Sequence, residues 1–273
     1  MTGKKSRLSR LIHPTSRKTV LVPLDHGMSE GPIPGVETPC KALRAIIEGG
    51  AQGVVIHRGV ALCGAEHLEA PLSWLLHLSG STTLSWNPDH KVLVASVEEA
   101  LRLGADGVSV HVNLGVFREA RMLQDLGKVA ARCREWGMPL LAMMYVRWAR
   151  PQHGSGISPI KHAARVAAEL GADLVKVPYP GSPEGLREVI RGCFIPVLIA
   201  GGERAQSDRH VLEMVEAAMA SGAAGICIGR NIFQHPVPAL FLQALSKIIH
   251  DGVSADVAIE LASESPALAH GRT

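Results

Sequence analysis

Short runs rich in Val, Ile and Leu recur along the chain, each followed by a stretch whose apolar residues return at helical spacing. This alternation predicts β/α units around a parallel sheet. The runs place eight strands at 20–25, 53–58, 74–79, 107–112, 140–145, 174–179, 196–201 and 225–230, and eight such units predict an α/β fold of the (β/α)8 TIM barrel type. A further run, Val92-Leu93-Val94-Ala95, falls between the third and fourth strands and is expected to pair outside the barrel or to start a helix. Several units open on one kind of junction: Glu48-Gly49-Gly50-Ala51, Leu103-Gly104-Ala105-Asp106, Leu170-Gly171-Ala172-Asp173 and Ser221-Gly222-Ala223-Ala224. Each reads as a helix end capped by glycine and leading into the next strand. The repetition favours a single barrel over 19–260, with a basic lead-in at 1–18 and a tail at 261–273 that is expected to lack order from residue 263.

Composition agrees with one large core, since 47% of the 273 residues are hydrophobic and 19% charged. The net charge of +3 comes without a basic stripe interleaved with aromatics, which argues against a nucleic-acid partner and suits a phosphorylated substrate. Much of the excess lies in Lys4, Lys5, Arg7, Arg10, Arg17 and Lys18, which read as a solvated amphipathic lead-in. No stretch has the apolar length of a signal peptide or a membrane span, so a cytoplasmic protein without a membrane partner is expected. Cys40, Cys63, Cys133, Cys193 and Cys227 are odd in number and widely spaced. They suggest neither a disulfide framework nor a zinc ribbon and are expected as small buried hydrophobes.

Candidate chemistry sits where three apolar runs end in polar residues. Lys176 interrupts Leu174-Val175-Lys176-Val177-Pro178-Tyr179, Asp25 closes Val20-Leu21-Val22-Pro23-Leu24, and Tyr145 closes Leu140-Leu141-Ala142-Met143-Met144. A desolvated lysine loses its proton easily and attacks a ketone as a neutral amine, so amine, carboxylate and phenol together suit a Schiff-base aldolase. Each residue also has a plainer reading. Lys176 can point outward with its stem buried and pair with a helix carboxylate, Tyr145 can serve as core, and Asp25 can cap the turn before His26-Gly27. In a barrel, the carboxyl ends of the strands assemble the active site. The last two strands finish in Gly201-Gly202 and Gly229-Arg230-Asn231, whose backbone N–H groups suit an anion and predict phosphate binding there. A rival reading takes His26, His57, His77 and His111 as zinc ligands converging at the barrel mouth, although no His-x-His or His-x-x-x-His pair supports it.

The stretches Val22-Pro23-Leu24-Asp25-His26-Gly27, Gly31-Pro32-Ile33, His57-Arg58-Gly59, His77-Leu78-Ser79-Gly80 and His111-Val112-Asn113 carry a family resemblance. So do Trp136-Gly137-Met138-Pro139-Leu140 through Met144-Tyr145, Gly171-Ala172-Asp173-Leu174-Val175-Lys176, Ala200-Gly201-Gly202, and Gly225 through Gly229-Arg230-Asn231-Ile232-Phe233-Gln234-His235. Together they resemble the 2-amino-3,7-dideoxy-D-threo-hept-6-ulosonate synthases, relatives of the archaeal-type class I fructose-bisphosphate aldolases, over residues 5 to 260. The resemblance implies a homo-oligomeric, decamer-like barrel that uses no metal or other cofactor, with Lys176 forming the Schiff base and Asp25 and Tyr145 as the acid/base pair. It implies that 6-deoxy-5-ketofructose 1-phosphate donates a carbon nucleophile to L-aspartate semialdehyde. The product is a seven-carbon amino keto acid leading toward 3-dehydroquinate and the aromatic amino acids. A bacterial branch uses dihydroxyacetone phosphate as donor on the way to 3-amino-4-hydroxybenzoate.

On this reading Gly201, Gly202, Gly229, Arg230, His26, Arg58, Arg147 and Arg204 are the candidate substrate- or phosphate-binding residues. Arg58 and Arg230, with a dry pocket, are expected to depress the Lys176 pKa. The chain departs from the family pattern at Val146-Arg147-Trp148, at Pro178 and at Glu203-Arg204, which puts the donor in question more than the mechanism. A class I fructose-bisphosphate aldolase is the second reading and needs a second phosphate site, for which Arg147 is a candidate. A third, from another class, is a phosphosugar-binding barrel without turnover.

Overall fold

A computed structural model describes residues 2–64, 72–147 and 156–263. In chain order the elements begin with α1 (Thr2–Leu11), β1 (Thr19–Pro23), α2 (His26–Glu30), α3 (Pro39–Glu48), β2 (Gly53–Ile56), α4 (Arg58–Cys63), β3 (Ser73–His77), β4 (Ser79–Gly80) and β5 (Val92–Leu93). They continue with α5 (Val97–Arg102), β6 (Gly107–Leu114), α6 (Glu119–Trp136), β7 (Leu140–Val146), α7 (Ile157–Glu169), β8 (Leu174–Pro178) and α8 (Pro183–Arg191). The last are β9 (Val197–Ala200), α9 (Asp208–Ala220), β10 (Gly225–Cys227), α10 (Arg230–Phe233), α11 (Pro238–Ser246), a π-helical turn (Lys247–Asp251) and α12 (Ala255–Ser263).

Eight strands close a parallel barrel in the order β1-β10-β9-β8-β7-β6-β3-β2, at the positions expected from the apolar runs. The additional run at 92–95 pairs outside it: β5 runs antiparallel to β4, with Ser79 opposite Leu93 and Gly80 opposite Val92. The glycine junctions also hold. Gly104 and Gly171 take φ of 81° and 92°, left-handed values that a β-carbon would strain. The last strand is shorter than expected, and Arg230 opens α10 instead of ending β10. Trp148 and the tail at 264–273 lie outside the described residues.

Strand periodicity sorts side chains into two cores. One face of each strand packs against the surrounding helices in a large cluster that includes Val20, Val54, Leu76, Val108, Ala142, Val175 and Ile199. The other face fills the barrel with Leu21, Val55, Leu75, Leu141, Met143, Leu174, Leu198 and Cys227. Leu11, fully buried at the end of α1, joins this inner cluster and closes the barrel at the amino end.

The 1–18 segment, expected as solvated, is therefore docked over its first helix. Lys4 Nζ reaches Asp173 at 2.8 Å, Arg10 reaches Asp106 at 2.6 Å, and Arg7 donates to the Gly137 carbonyl at 3.2 Å. Asp173 also accepts from the Leu140 amide, and Asp106 from the Trp74 amide, so these carboxylates tie α1 to strand beginnings. The cysteines divide. Cys133 and Cys227 are buried as expected, Cys40 and Cys193 are half-buried, and Cys63 is exposed. Among the described residues no helix is long and apolar enough to cross a membrane.

Candidate active site

The alternation that fills the barrel with Leu174, Met143 and Cys227 also turns Lys176, Tyr145 and, past the end of β1, Asp25 toward its carboxyl end. In register, Lys176 lies beside Met143 on one side and Leu198 on the other. It is 6% exposed and faces inward, away from the surface helices. Asp25 occupies the N-cap position of α2, but its carboxylate makes no cap hydrogen bond and instead faces His77 Nε2 and His26 Nδ1, each at 3.6 Å. All three residues line one cavity of about 680 Å³. Gly201, Gly202, Gly229, Arg230, His26 and Arg147 line it too, so six of the expected binding residues surround the candidate catalytic residues.

Two do not. Arg58 donates to Glu99 Oε1 at 2.8 Å and to the Val94 carbonyl, and it lies on the wall of a separate apolar cavity with Met28 and Val60. Arg204 donates to Asp208 and to the Asn231 carbonyl at 3.4 and 3.3 Å. The two glycine segments are held together by Asn231, whose amide donates to the carbonyls of Gly201 and Glu203 and accepts from the Ala205 amide at 2.7 Å. A β-carbon on Gly201 would come within 2.6 Å of Ile228, and one on Gly229 within 2.8 Å of the Pro23 carbonyl and His26. Glycine is thus required for the close approach of these loops.

Charge in the site is balanced but not locked. Burial opposes ionisation of Asp25, yet His77, His26, Lys176 and His57 more than offset it and hold the carboxyl below the usual range. Burial lowers His77 to about 4, despite Asp25, and pushes His26 and His57 below ordinary histidine as well. The imidazoles are therefore neutral at pH 7, and Lys176 is the charged partner of Asp25. Burial also works against the Lys176 ammonium, but Cys227, Tyr145 and Asp25 outweigh it and hold the amine above ordinary lysine. The expected depression by Arg58 and Arg230 is thus reversed, because Arg58 is engaged elsewhere and the inward neighbours of Lys176 favour its cation.

Tyr145 is held by its ring. It stacks on His111 with centroids 4.8 Å apart, and the Arg147 guanidinium lies 5.1 Å from its centroid. His111 Nε2 donates to Asn113 Oδ1 at 3.0 Å, and Asn113 donates in turn to the Asp89 carbonyl at 2.7 Å. The four candidate zinc histidines do converge in part, with His26 and His77 against Asp25 and the His57 and His77 rings 5.2 Å apart. Among the described residues no three His, Cys, Asp or Glu side chains form a group that could hold a metal ion.

The family model for DeoC/LacD family aldolases matches residues 19–235, which span the whole barrel. The chain belongs to this aldolase family. It is 39% identical to 2-amino-3,7-dideoxy-D-threo-hept-6-ulosonate synthase 1 of Archaeoglobus fulgidus over 95% of this chain and 96% of that one. It is equally 39% identical to 2-amino-4,5-dihydroxy-6-oxo-7-(phosphonooxy)heptanoate synthase of Streptomyces griseus, over 91% of each. Among solved structures, a Schiff-base-forming fructose-1,6-bisphosphate aldolase superposes with a TM-score of 0.82 at 29% identity, covering 90% of this chain and 99% of its own. The protein is a class I, Schiff-base aldolase.

Sequence reasoning overlooked several residues of the aldolase's cavity. Cys227 abuts Lys176, and its thiol is itself pushed up by burial; its place two residues before Gly229 on the inward row was a usable signal. Lys91 enters from the β4–β5 excursion, donates to Ser81 Oγ at 2.6 Å and lines the cavity with Asp89 and Arg147. Nothing in its local sequence connects that excursion to the barrel mouth. Glu30 also lines the cavity and stands 4.0 Å from Arg230.

Proposed function

We propose that this aldolase forms its Schiff base through Lys176 and joins a phosphorylated keto donor to L-aspartate semialdehyde. The donor is 6-deoxy-5-ketofructose 1-phosphate, cleaved so that three carbons are transferred and a three-carbon phosphorylated fragment is released, or dihydroxyacetone phosphate, which adds whole. Either way three carbons join the four of the semialdehyde in a seven-carbon amino keto acid of the kind that leads to aromatic compounds. The observation that carries the reading is the buried, inward Lys176 between Tyr145 and Asp25 in a cavity with cationic residues in two regions. Gly201-Gly202 and Gly229-Arg230 offer backbone donors and a guanidinium to the donor phosphate. Lys91 and Arg147 meet the acceptor carboxylate. The names of the Archaeoglobus and Streptomyces relatives, an aminodideoxyheptulosonate and a phosphonooxyheptanoate synthase, support a seven-carbon product.

The electrostatics suit an imine that stays protonated. Asp25 faces the Lys176 ammonium in the resting enzyme and faces the iminium nitrogen once the amine has added to the ketone and lost water. The same carboxylate therefore stabilises positive charge before and after condensation, and manages protons during breakdown of the carbinolamine. The iminium withdraws electrons from the adjacent carbon, which then loses a proton in the three-carbon donor or is cleaved from a departing aldehyde fragment in the six-carbon donor, and the resulting enamine attacks the semialdehyde. The Tyr145 hydroxyl gives its proton to the new alkoxide and takes it back in the cleavage direction.

Borohydride trapping followed by intact mass tests this reading. Either donor should leave a reduced adduct on Lys176, and adding L-aspartate semialdehyde should consume the donor and diminish that adduct. An adduct on another lysine, or one indifferent to the semialdehyde with both donors, would overturn it. Class I fructose-bisphosphate cleavage is the second reading. It is favoured by the Lys91–Arg147 end, which offers cations to a second phosphate, and is separated by the same trapping with fructose 1,6-bisphosphate.

A further inference from the structure

Away from the active site, two thiols approach each other between the helices that follow the first and second barrel strands. Cys40 Sγ stands 3.7 Å from Cys63 Sγ and 3.6 Å from the Cys63 carbonyl oxygen. A disulfide brings sulfurs to about 2.0 Å, so closure asks for side-chain rotation over less than the width of an atom. Cys40 lies in the first turn of α3, behind Pro39. Cys63 ends α4 and is exposed to solvent. The other cysteines have different surroundings. Cys133 and Cys227 are buried, and the Cys193 thiol donates to the carbonyls of Ala164 and Ile195, both at 3.5 Å.

We propose that Cys40 and Cys63 form a reversible dithiol/disulfide site that reacts with small-molecule disulfides. The exposed Cys63 thiolate attacks the reagent disulfide, forming a mixed disulfide and releasing one reagent thiol. The Cys40 thiolate then attacks Cys63 Sγ and expels the second reagent thiol, so the protein dithiol is oxidised while one disulfide is reduced to two thiols. Closure joins α3 to α4. Pro39 of α3 and Val60 of α4 both line the 410 Å³ apolar cavity that also includes Met28 of α2. The cross-link thereby ties together two helices that line this cavity.

The test uses the reduced full-length chain incubated with oxidised glutathione, blocked with iodoacetamide and read by intact mass and peptide mapping. The expected product has lost about 2 Da, the two thiol hydrogens, and contains one cross-linked peptide pair joining Cys40 to Cys63. It melts a few degrees higher than the reduced chain, and dithiothreitol reverses both changes. Cys63→Ser, at an exposed position that the fold tolerates, should remove the cross-link and the melting shift together. A stable glutathione adduct on Cys63 with Cys40 still alkylated would overturn the proposal, because it would show that the second sulfur does not reach the first. So would full alkylation of both thiols, or a cross-link that joins other cysteines.

Discussion

The two ends of the barrel are built from the same eight strands and treat charge in opposite ways. At the amino end, Leu11 seals the interior and two cations of α1 are paired with carboxylates: Lys4 meets Asp173 at 2.8 Å and Arg10 meets Asp106 at 2.6 Å. At the carboxyl end, the charged groups around Asp25 and Arg230 stand at longer range. Asp25 is 3.6 Å from each of two histidines, Glu30 is 4.0 Å from Arg230, and His26 Nδ1 and Arg230 Nε are buried with no hydrogen-bond partner among the described residues. Buried polar atoms are ordinarily satisfied. The two unpartnered atoms of His26 and Arg230 belong to residues that line the cavity, which marks that cavity as the place where a ligand completes the bonding, while the amino end stabilises the fold.

The strongest way to break this comparison is to remove the chemistry at one end and watch the other. Lys176→Met should eliminate both the trapped adduct and turnover with the thermal midpoint preserved. Tyr145→Phe should retain the adduct and lower kcat by roughly 10²–10⁴-fold, the range for loss of a positioned proton-transfer group. Equal loss of adduct in both variants would contradict the division of roles.

The reverse experiment acts on the sealed end. Leu11→Ala removes a fully buried side chain from the inner cluster and should lower stability by about 2–5 kcal/mol in urea unfolding, with KM nearly unchanged. A large KM change would show that the two ends are coupled.

Acid sharpens the contrast. His77 is lowered from 6.5 to about 4 in the fold, so the unfolded chain binds the proton first as pH falls. Stability that is full above pH 6.5 is lost progressively toward pH 4, by about 3 kcal/mol from this residue alone. Urea unfolding at several pH values should show the loss, and His77→Gln should flatten it. The smallest expected effect is at the cavity's far side. Lys91→Met should raise KM for the semialdehyde roughly tenfold or more, as loss of a charge-assisted hydrogen bond does, while leaving the donor adduct intact; an equal rise for the donor would place its phosphate there.

The periodicity of apolar runs, the repeated glycine junctions and the polar residues closing three runs were enough to place the strands, the barrel and the trio of Asp25, Tyr145 and Lys176. These are local signals: a two-residue period says which side chains share a face, and Gly104 or Gly171 reports a backbone angle that few other residues adopt. The partners of those side chains were not local. Arg58 looked like a neighbour of Lys176 because it follows a strand end, but helix α4 carries it to Glu99. Lys91 looked like a loop residue, but the β4–β5 excursion brings it into the cavity. The direction of the Lys176 shift depended on Cys227, which lies 51 residues away in sequence and beside it in the barrel. Closure of the barrel decides such pairings, because it brings together residues from separate strands and electrostatic interactions depend on distance through space rather than on separation along the chain.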